Sequence, residues 1–191
     1  MKLTSYWLDT APLFSSGAEG PPHGDADVAV VGAGFTGLSA ALALAKKGAK
    51  VVVLEAGRVA NAASGRNGGM CNNGFAQDYY VLSTRLGRER ANLLYRAFDA
   101  GVDKVEAIIA EERIDCNFKR VGKLKLAAKP AHYEKLARSQ ALLAEEVDPD
   151  TRMVPHSELR TEVGSDRYFG GLHGPIGTRK PCRRECRRAE W

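Results

Sequence analysis

The chain has 191 residues, 27% charged and 44% hydrophobic, proportions ordinary for a soluble globular protein with one good core, or one domain and part of another. Its net charge is +5, but six Lys/Arg against two acids in residues 172–191 account for +4 of it, which excludes a basic nucleic-acid surface on the rest. Four cysteines in a chain whose first residues show no secretion signal exclude a disulfide framework and point to a cytoplasmic protein.

Residues 1–25 mix Tyr6, Trp7 and Phe14 with Ser, Gly and Pro and read as an irregular N-terminal arm with its aromatics pinned to the domain surface. A β-branched run over 27–31 predicts a strand, the Ala/Leu-rich stretch 36–47 a helix stopped by Gly48, and 50–54 a second strand. Residues 28–45 are uncharged, yet Gly32, Gly34, Thr36 and Gly37 interrupt them, so no membrane span is expected. Apolar residues at helical spacing from Asp78 to Arg113 predict two helices separated at Gly87. Residues 118–127 alternate as a half-buried antiparallel strand, Pro130 to Glu146 form an amphipathic helix, and Ser157 to Val163 a short helix capped by Ser157. Another strand starts at Tyr168-Phe169-Gly170-Gly171. No internal repeat or low-complexity tract is present, and the pattern is α/β.

The chemistry gathers near the start. Strand, G-x-G-x-x-G turn (Gly32, Gly34, Gly37), helix and second strand ending in Glu55 fall in register within about 30 residues, the context a dinucleotide site requires. Gly34 lets the backbone approach a pyrophosphate, and the helix N-terminus, with the N–H groups of Phe35 and Thr36, stabilises its charge. Glu55 lies eighteen residues after Gly37, the length of one crossover helix, and its carboxylate can accept hydrogen bonds from ribose hydroxyls. That charge opposes a 2′-phosphate. The alternative for the same residues is a βαβ unit without nucleotide. Next comes Ala62-Ala63-Ser64-Gly65-Arg66-Asn67-Gly68-Gly69-Met70-Cys71-Asn72-Asn73-Gly74. By composition it is equally a flexible surface loop or an anion-binding nest. Its position directly after the ribose-binding strand selects the nest.

These residues resemble the FAD-dependent amino-acid and amine oxidoreductases of the D-amino-acid oxidase superfamily, in particular γ-glutamylputrescine oxidoreductase-like proteins. The likeness rests on D-V-A-V-V-G-A-G-F-T-G-L-S-A-A-L-A-L-A-K-K-G from Asp27, on V-V-V-L-E-A-G-R, and above all on A-S-G-R-N-G-G from Ala63 to Gly69. It implies a Rossmann-type FAD-binding domain over 26–120 and part of an α+β substrate domain over 121–171. It also implies a cofactor set of Gly32, Gly34, Phe35, Thr36, Gly37, Glu55, Ala56, Arg58, Ser64, Gly65, Arg66, Asn67, Gly68 and Gly69. Arg66, inside the motif, is the stronger partner for phosphate charge; Arg58 is equally a solvated surface cation. The implied reaction takes a hydride from the amine-bearing carbon of a small amine or amino acid to the flavin, followed by imine hydrolysis and reoxidation by oxygen or another acceptor.

The family pattern continues beyond Gly171 with a strand and a G-H-x-x-P-like stretch, whereas here an Arg- and Cys-rich text follows. Residues 172–191 therefore read as an atypical basic tail, foreign to the family pattern, on an incomplete chain. No catalytic acid or base is assigned: His132, His156 and His173 are scattered. Cys182-x-x-x-Cys186 lacks a second ligand pair, so no metal is expected. Two rival readings are a nucleotide-binding module or inactive remnant without catalysis, and an NAD-dependent dehydrogenase, which A-S-G-R-N-G-G disfavours.

Overall fold

The computed structural model describes residues 3–174 apart from 13, 15, 16 and 19. The chain divides into two compact units, Met1–Met70 and Cys71–Trp191. The first is a βαβ unit preceded by a short helix, α1 (Tyr6–Thr10), whose N-cap Ser5 accepts from the Leu8 N–H. The arm expected to be irregular is thus partly helical. Strand β1 (Val28–Val31) pairs in parallel with β2 (Val51–Leu54), Val28 opposite Val51 and Val31 opposite Leu54. Helix α2 (Phe35–Ala45) joins them and packs on both. It ends where the Gly48 and Ala49 N–H groups turn back to the carbonyls of Ala45 and Leu44, with Gly48 at φ 91°.

The second unit begins with α3 (Tyr79–Leu86) and α4 (Arg88–Glu111), separated at Gly87, whose φ of 85° ends the first helix as expected. A three-stranded antiparallel sheet follows, ordered β3 (Lys123–Leu126), β5 (Gly170–Gly174), β4 (Arg152–Pro155). The strand expected from 118 begins at Lys123, because Gly122 takes positive φ and breaks the extended run before it. Helix α5 (Pro130–Glu146) starts on Pro130, whose missing N–H needs no partner in the first turn, and packs against α3, β4 and β5. Gly170 permits that approach: a Cβ there would stand 2.2 Å from the Tyr133 ring. The chain enters α6 (Leu159–Glu162) through a 3-10 turn, His156–Glu158. Ser157 therefore lies inside the turn and caps nothing, contrary to the sequence reading.

The core of this unit joins Tyr79, Leu82, Ala91, Tyr95, Ala127, Leu136, Leu143 and Leu172. The strand continues through Gly174, past the 171/172 boundary drawn from sequence: Leu172 pairs with Lys125 and Met153 and is 9% exposed. Burying such a side chain is worth about 1.5–3 kcal/mol, so 172–174 are structural. Residues 175–191, with Cys182 and Cys186, lie outside the described residues. Cys71 and Cys116 carry free thiols. Among the described residues no helix is long and apolar enough to cross a membrane.

Candidate functional site

Within the first unit, the turn between β1 and α2 collects four backbone devices. The Gly32 N–H reaches Leu54 O at 2.7 Å, which ties the turn to the end of the neighbouring strand. Gly32 itself has φ 97°, the left-handed region. A Cβ on Gly37 would lie 2.0 Å from Gly32 O and 3.3 Å from Val30 Cγ1, so this position must lack one for the helix to start so close to the strand. The N–H groups of Phe35, Thr36 and Gly37, in the first turn of α2, have no carbonyl partner within the helix.

Glu55 and Ser64 come to this turn from two other segments. Glu55 Oε2 accepts from the Ala33 N–H at 2.8 Å and Oε1 from the Gly57 N–H at 3.0 Å. The bond from Ala33, then that from Gly57, holds the carboxyl below the usual glutamate range. The ionised carboxylate has lone pairs left over for ribose hydroxyls. Ala56 sits between these two bonded residues. Ser64 Oγ accepts from the Phe35 N–H at 3.0 Å and lies 3.0 Å from where a Gly34 Cβ would stand. Its hydroxyl thus occupies the head of α2, with its proton free to be donated to an oxygen beside it. The Ala60 N–H donates to Ala33 O, and Gly65 is buried so closely on Ala60 O that a Cβ would come within 2.2 Å.

The remaining expected residues fall into two groups. Asn67 fastens its own loop: Nδ2 donates to Ser64 O at 2.8 Å and Oδ1 accepts from the Gly69 N–H at 2.7 Å, with Gly68 enclosed between them. The two arginines turn instead to backbone carbonyls, Arg66 Nε to Asn61 O at 2.8 Å and Arg58 Nη2 to Leu8 O at 3.3 Å. Ser5 and Leu8 of the arm, which the sequence reading did not single out, also touch the loop, together with Trp7, one of the aromatics expected to be pinned to the domain surface. Their signal was a pair of aromatics in an otherwise polar segment.

In the second unit, a cavity of about 80 Å³ is lined by Asn73, Tyr79, Tyr95, Lys123, Lys125 and Thr151, among others. It has room for a few waters, against the roughly 300–1,000 Å³ of organic ligand sites. His173, on β5, is held below the usual histidine range by burial and by Arg152, and His156 Nδ1 lies 2.7 Å from Tyr168 O. Among the described residues no cluster of His, Cys, Asp or Glu could hold a metal ion.

Comparison with known proteins places these features in a family. Residues 27–183 match the family described as DAO, FAD dependent oxidoreductase. The chain is 37% identical to gamma-glutamylputrescine oxidoreductase of Escherichia coli (strain K12) over 146 residues, 76% of this chain and 34% of that protein. It is 36% identical to the probable oxidoreductase OrdL of Haemophilus influenzae over 148 residues, 77% of this chain and 34% of that one. The chain therefore spans about a third of the length of these curated relatives. Among solved structures, glycine oxidase from Bacillus cereus aligns with a TM-score of 0.57 at 22% identity, over 80% of this chain and 40% of that one. L-amino acid deaminase from Proteus vulgaris aligns at 0.56 and 23%, over 85% and 40%. These two likenesses concern the fold.

Proposed function

The chain belongs to the DAO family of FAD-dependent oxidoreductases, and from that membership we propose that residues 1–70 bind the adenosine diphosphate part of FAD in an enzyme that oxidises a small amine or amino acid. The observation that carries the proposal is the meeting of three separate segments at one turn: the Gly32–Gly37 backbone, the Glu55 carboxylate and the Ser64 hydroxyl. The residues fit the group. Open N–H donors at a helix head suit a pyrophosphate, an ionised carboxylate suits ribose hydroxyls, and the closeness of Ser64 to Gly34 means that a side chain on Gly34 would fill the cradle.

In this reading Thr36 and Gly37 offer N–H groups to phosphate oxygens, and Ser64, which holds the Phe35 N–H, adds its hydroxyl beside them. Glu55 and Ala56 receive the ribose, and Gly65 to Gly69 present further backbone donors. Arg58 and Arg66 lend positive charge from where the carbonyls of Leu8 and Asn61 hold them. When bound, FAD accepts the hydride from the amine-bearing carbon. The substrate class is inferred from the relatives' names, and a cytoplasmic location accompanies it. The same proposal gives 26–120, with the arm before it, to cofactor binding and 121–171 to the start of a substrate domain; slowed amide exchange on FAD addition before residue 121, and none after it, is the expected signature.

Titration with FAD tests the proposal: uptake with an absorbance band at about 450 nm is expected, and a folded chain that takes up no FAD overturns it. Anaerobic mixing of the loaded chain with a panel of amines and amino acids, read as bleaching of that band, then names the substrate. A second reading, nucleotide binding without catalysis, draws on one observation: the described groups gathered at the turn are donors and a carboxylate already engaged by backbone N–H groups. FAD uptake with no bleaching by any amine would favour it.

A further inference from the structure

The N-terminal arm meets the 64–69 loop at four points, and its two hydrogen bonds join residues sixty positions apart. Ser5 Oγ donates to Gly65 O, and Trp7 Nε1 donates to Asn67 O at 2.7 Å. The Trp7 ring rests on Gly69, where an added Cβ would stand 2.1 Å from Cζ2. Gly69 has φ 68°, so the loop there is bent in a way that suits glycine and leaves room for the indole. Leu8 also approaches Gly65, and Leu8 O accepts from Arg58.

Helix α1 has five residues and buries none of them. A helix that short is not stable by itself in water, and contacts with the loop help to hold it. The dependence runs both ways, because the carbonyls of Gly65 and Asn67 receive their donors from the arm. We propose that the arm is a strap that fixes the loop from Ser64 to Gly69 in its cofactor-holding shape, with Trp7 as a positioning residue. This rests on the FAD reading above. The strap acts by preorganisation: a loop already held in shape loses less conformational freedom when a phosphate arrives. Trp7 acts through the carbonyl of Asn67, the residue that itself bonds Ser64 O and the Gly69 N–H.

The test measures FAD affinity and FAD-free melting temperature for the full chain and for Trp7→Ala and Trp7→Phe. Trp7→Ala is expected to weaken FAD binding about tenfold, and Trp7→Phe, which keeps a ring but loses the donor, about threefold. Both should melt without FAD as the parent does. The loss from Ser64→Ala should shrink in the Trp7→Phe background, since both residues act through one loop. If the parent binds FAD and both Trp7 variants bind it equally well, the strap is overturned while the FAD reading stands. If the parent binds none, the FAD reading itself has failed. Should Trp7→Ala not fold, Trp7→Phe alone decides, by the same two outcomes.

Discussion

In residues 3–70 the buried side chains are small, Ala33 and Ala41 beside Gly65, whereas residues 71–174 bury Tyr79, Tyr95, Leu136, Leu143 and Leu172 in one cluster. The first unit leaves Val31 at 84% exposure and Phe35 at 64%. Its order comes from hydrogen bonds around a turn: Glu55 to Ala33, Ser64 to Phe35, Asn67 to its own loop and Trp7 to Asn67. The second unit orders itself by removing apolar surface from water. A site for a polar, charged ligand needs open backbone donors, and open donors need small residues around them; a core needs bulk. The two units divide these demands between them.

Core truncation tests the contrast most strongly. Leu143→Ala, at a position 5% exposed, is expected to destabilise the second unit by about 2–5 kcal/mol in urea unfolding, and a loss below 1 kcal/mol would show that this cluster is not what holds it. The counterpart in the first unit is Gly37→Ala, where the new Cβ would meet Gly32 O at 2.0 Å. It should weaken FAD binding by about a hundredfold or more, roughly 2.7 kcal/mol, and leave the urea midpoint of the second unit in place. Glu55→Ala, which removes the acceptor of the Ala33 and Gly57 N–H groups, should cost about tenfold in FAD affinity by isothermal titration.

A pH series separates the units by sign. Burial holds Asp99 and Asp148 above the ordinary aspartate range, so the folded second unit keeps protons that the unfolded chain gives up. Their contribution is fully present below the unfolded value and falls as pH rises through the raised folded values. Asp99→Asn should flatten that fall in urea midpoints taken between roughly pH 3 and 6. Glu55 runs the other way. Its carboxyl is lowered by backbone bonds, so what it contributes is present above the ordinary glutamate range and is lost as pH drops through the lowered value. The protection factor of the Ala33 amide, its exchange rate relative to the intrinsic rate at each pH, should therefore fall on acidification. The smallest effect belongs to the exposed pair of Arg160 and Asp166, 2.6 Å apart with both side chains more than half exposed. Arg160→Ala should move the unfolding free energy by no more than about 0.5 kcal/mol.

Much of the first unit was legible beforehand because its signals are local. A β-branched run, three spaced glycines, an Ala/Leu helix and an acid at the next strand's end each act within a few residues of themselves, and together they located β1, α2 and β2 to within one or two positions. Pro130 fixed the start of α5 and Gly87 the break between α3 and α4 for the same reason. The misses were non-local. Helix α1 lacks a periodic apolar face, and its place depends on Gly65, Asn67 and Gly69. Strand β4, Arg152–Pro155, is four residues long, too short to show an alternation, and exists because β5 lies beside it. Leu172 looked like the start of a foreign tail because its text is atypical, yet its partners Lys125 and Met153 give it a place in a sheet.

The sequence by itself determined the family and the parallel pair around a glycine turn, and it named the groups proposed to face a phosphate and a ribose. It did so because residue types with special backbone freedom, or with charge at a strand end, leave their mark at fixed short spacings. Tertiary structure decided which of these groups meet: that Ser64 sits on the head of α2, that Glu55 locks Ala33, that Arg58 and Arg66 turn to carbonyls, and that Trp7 covers Gly69. Contacts between residues twenty to sixty positions apart depend on the path of the chain between them, and no local spacing encodes that path.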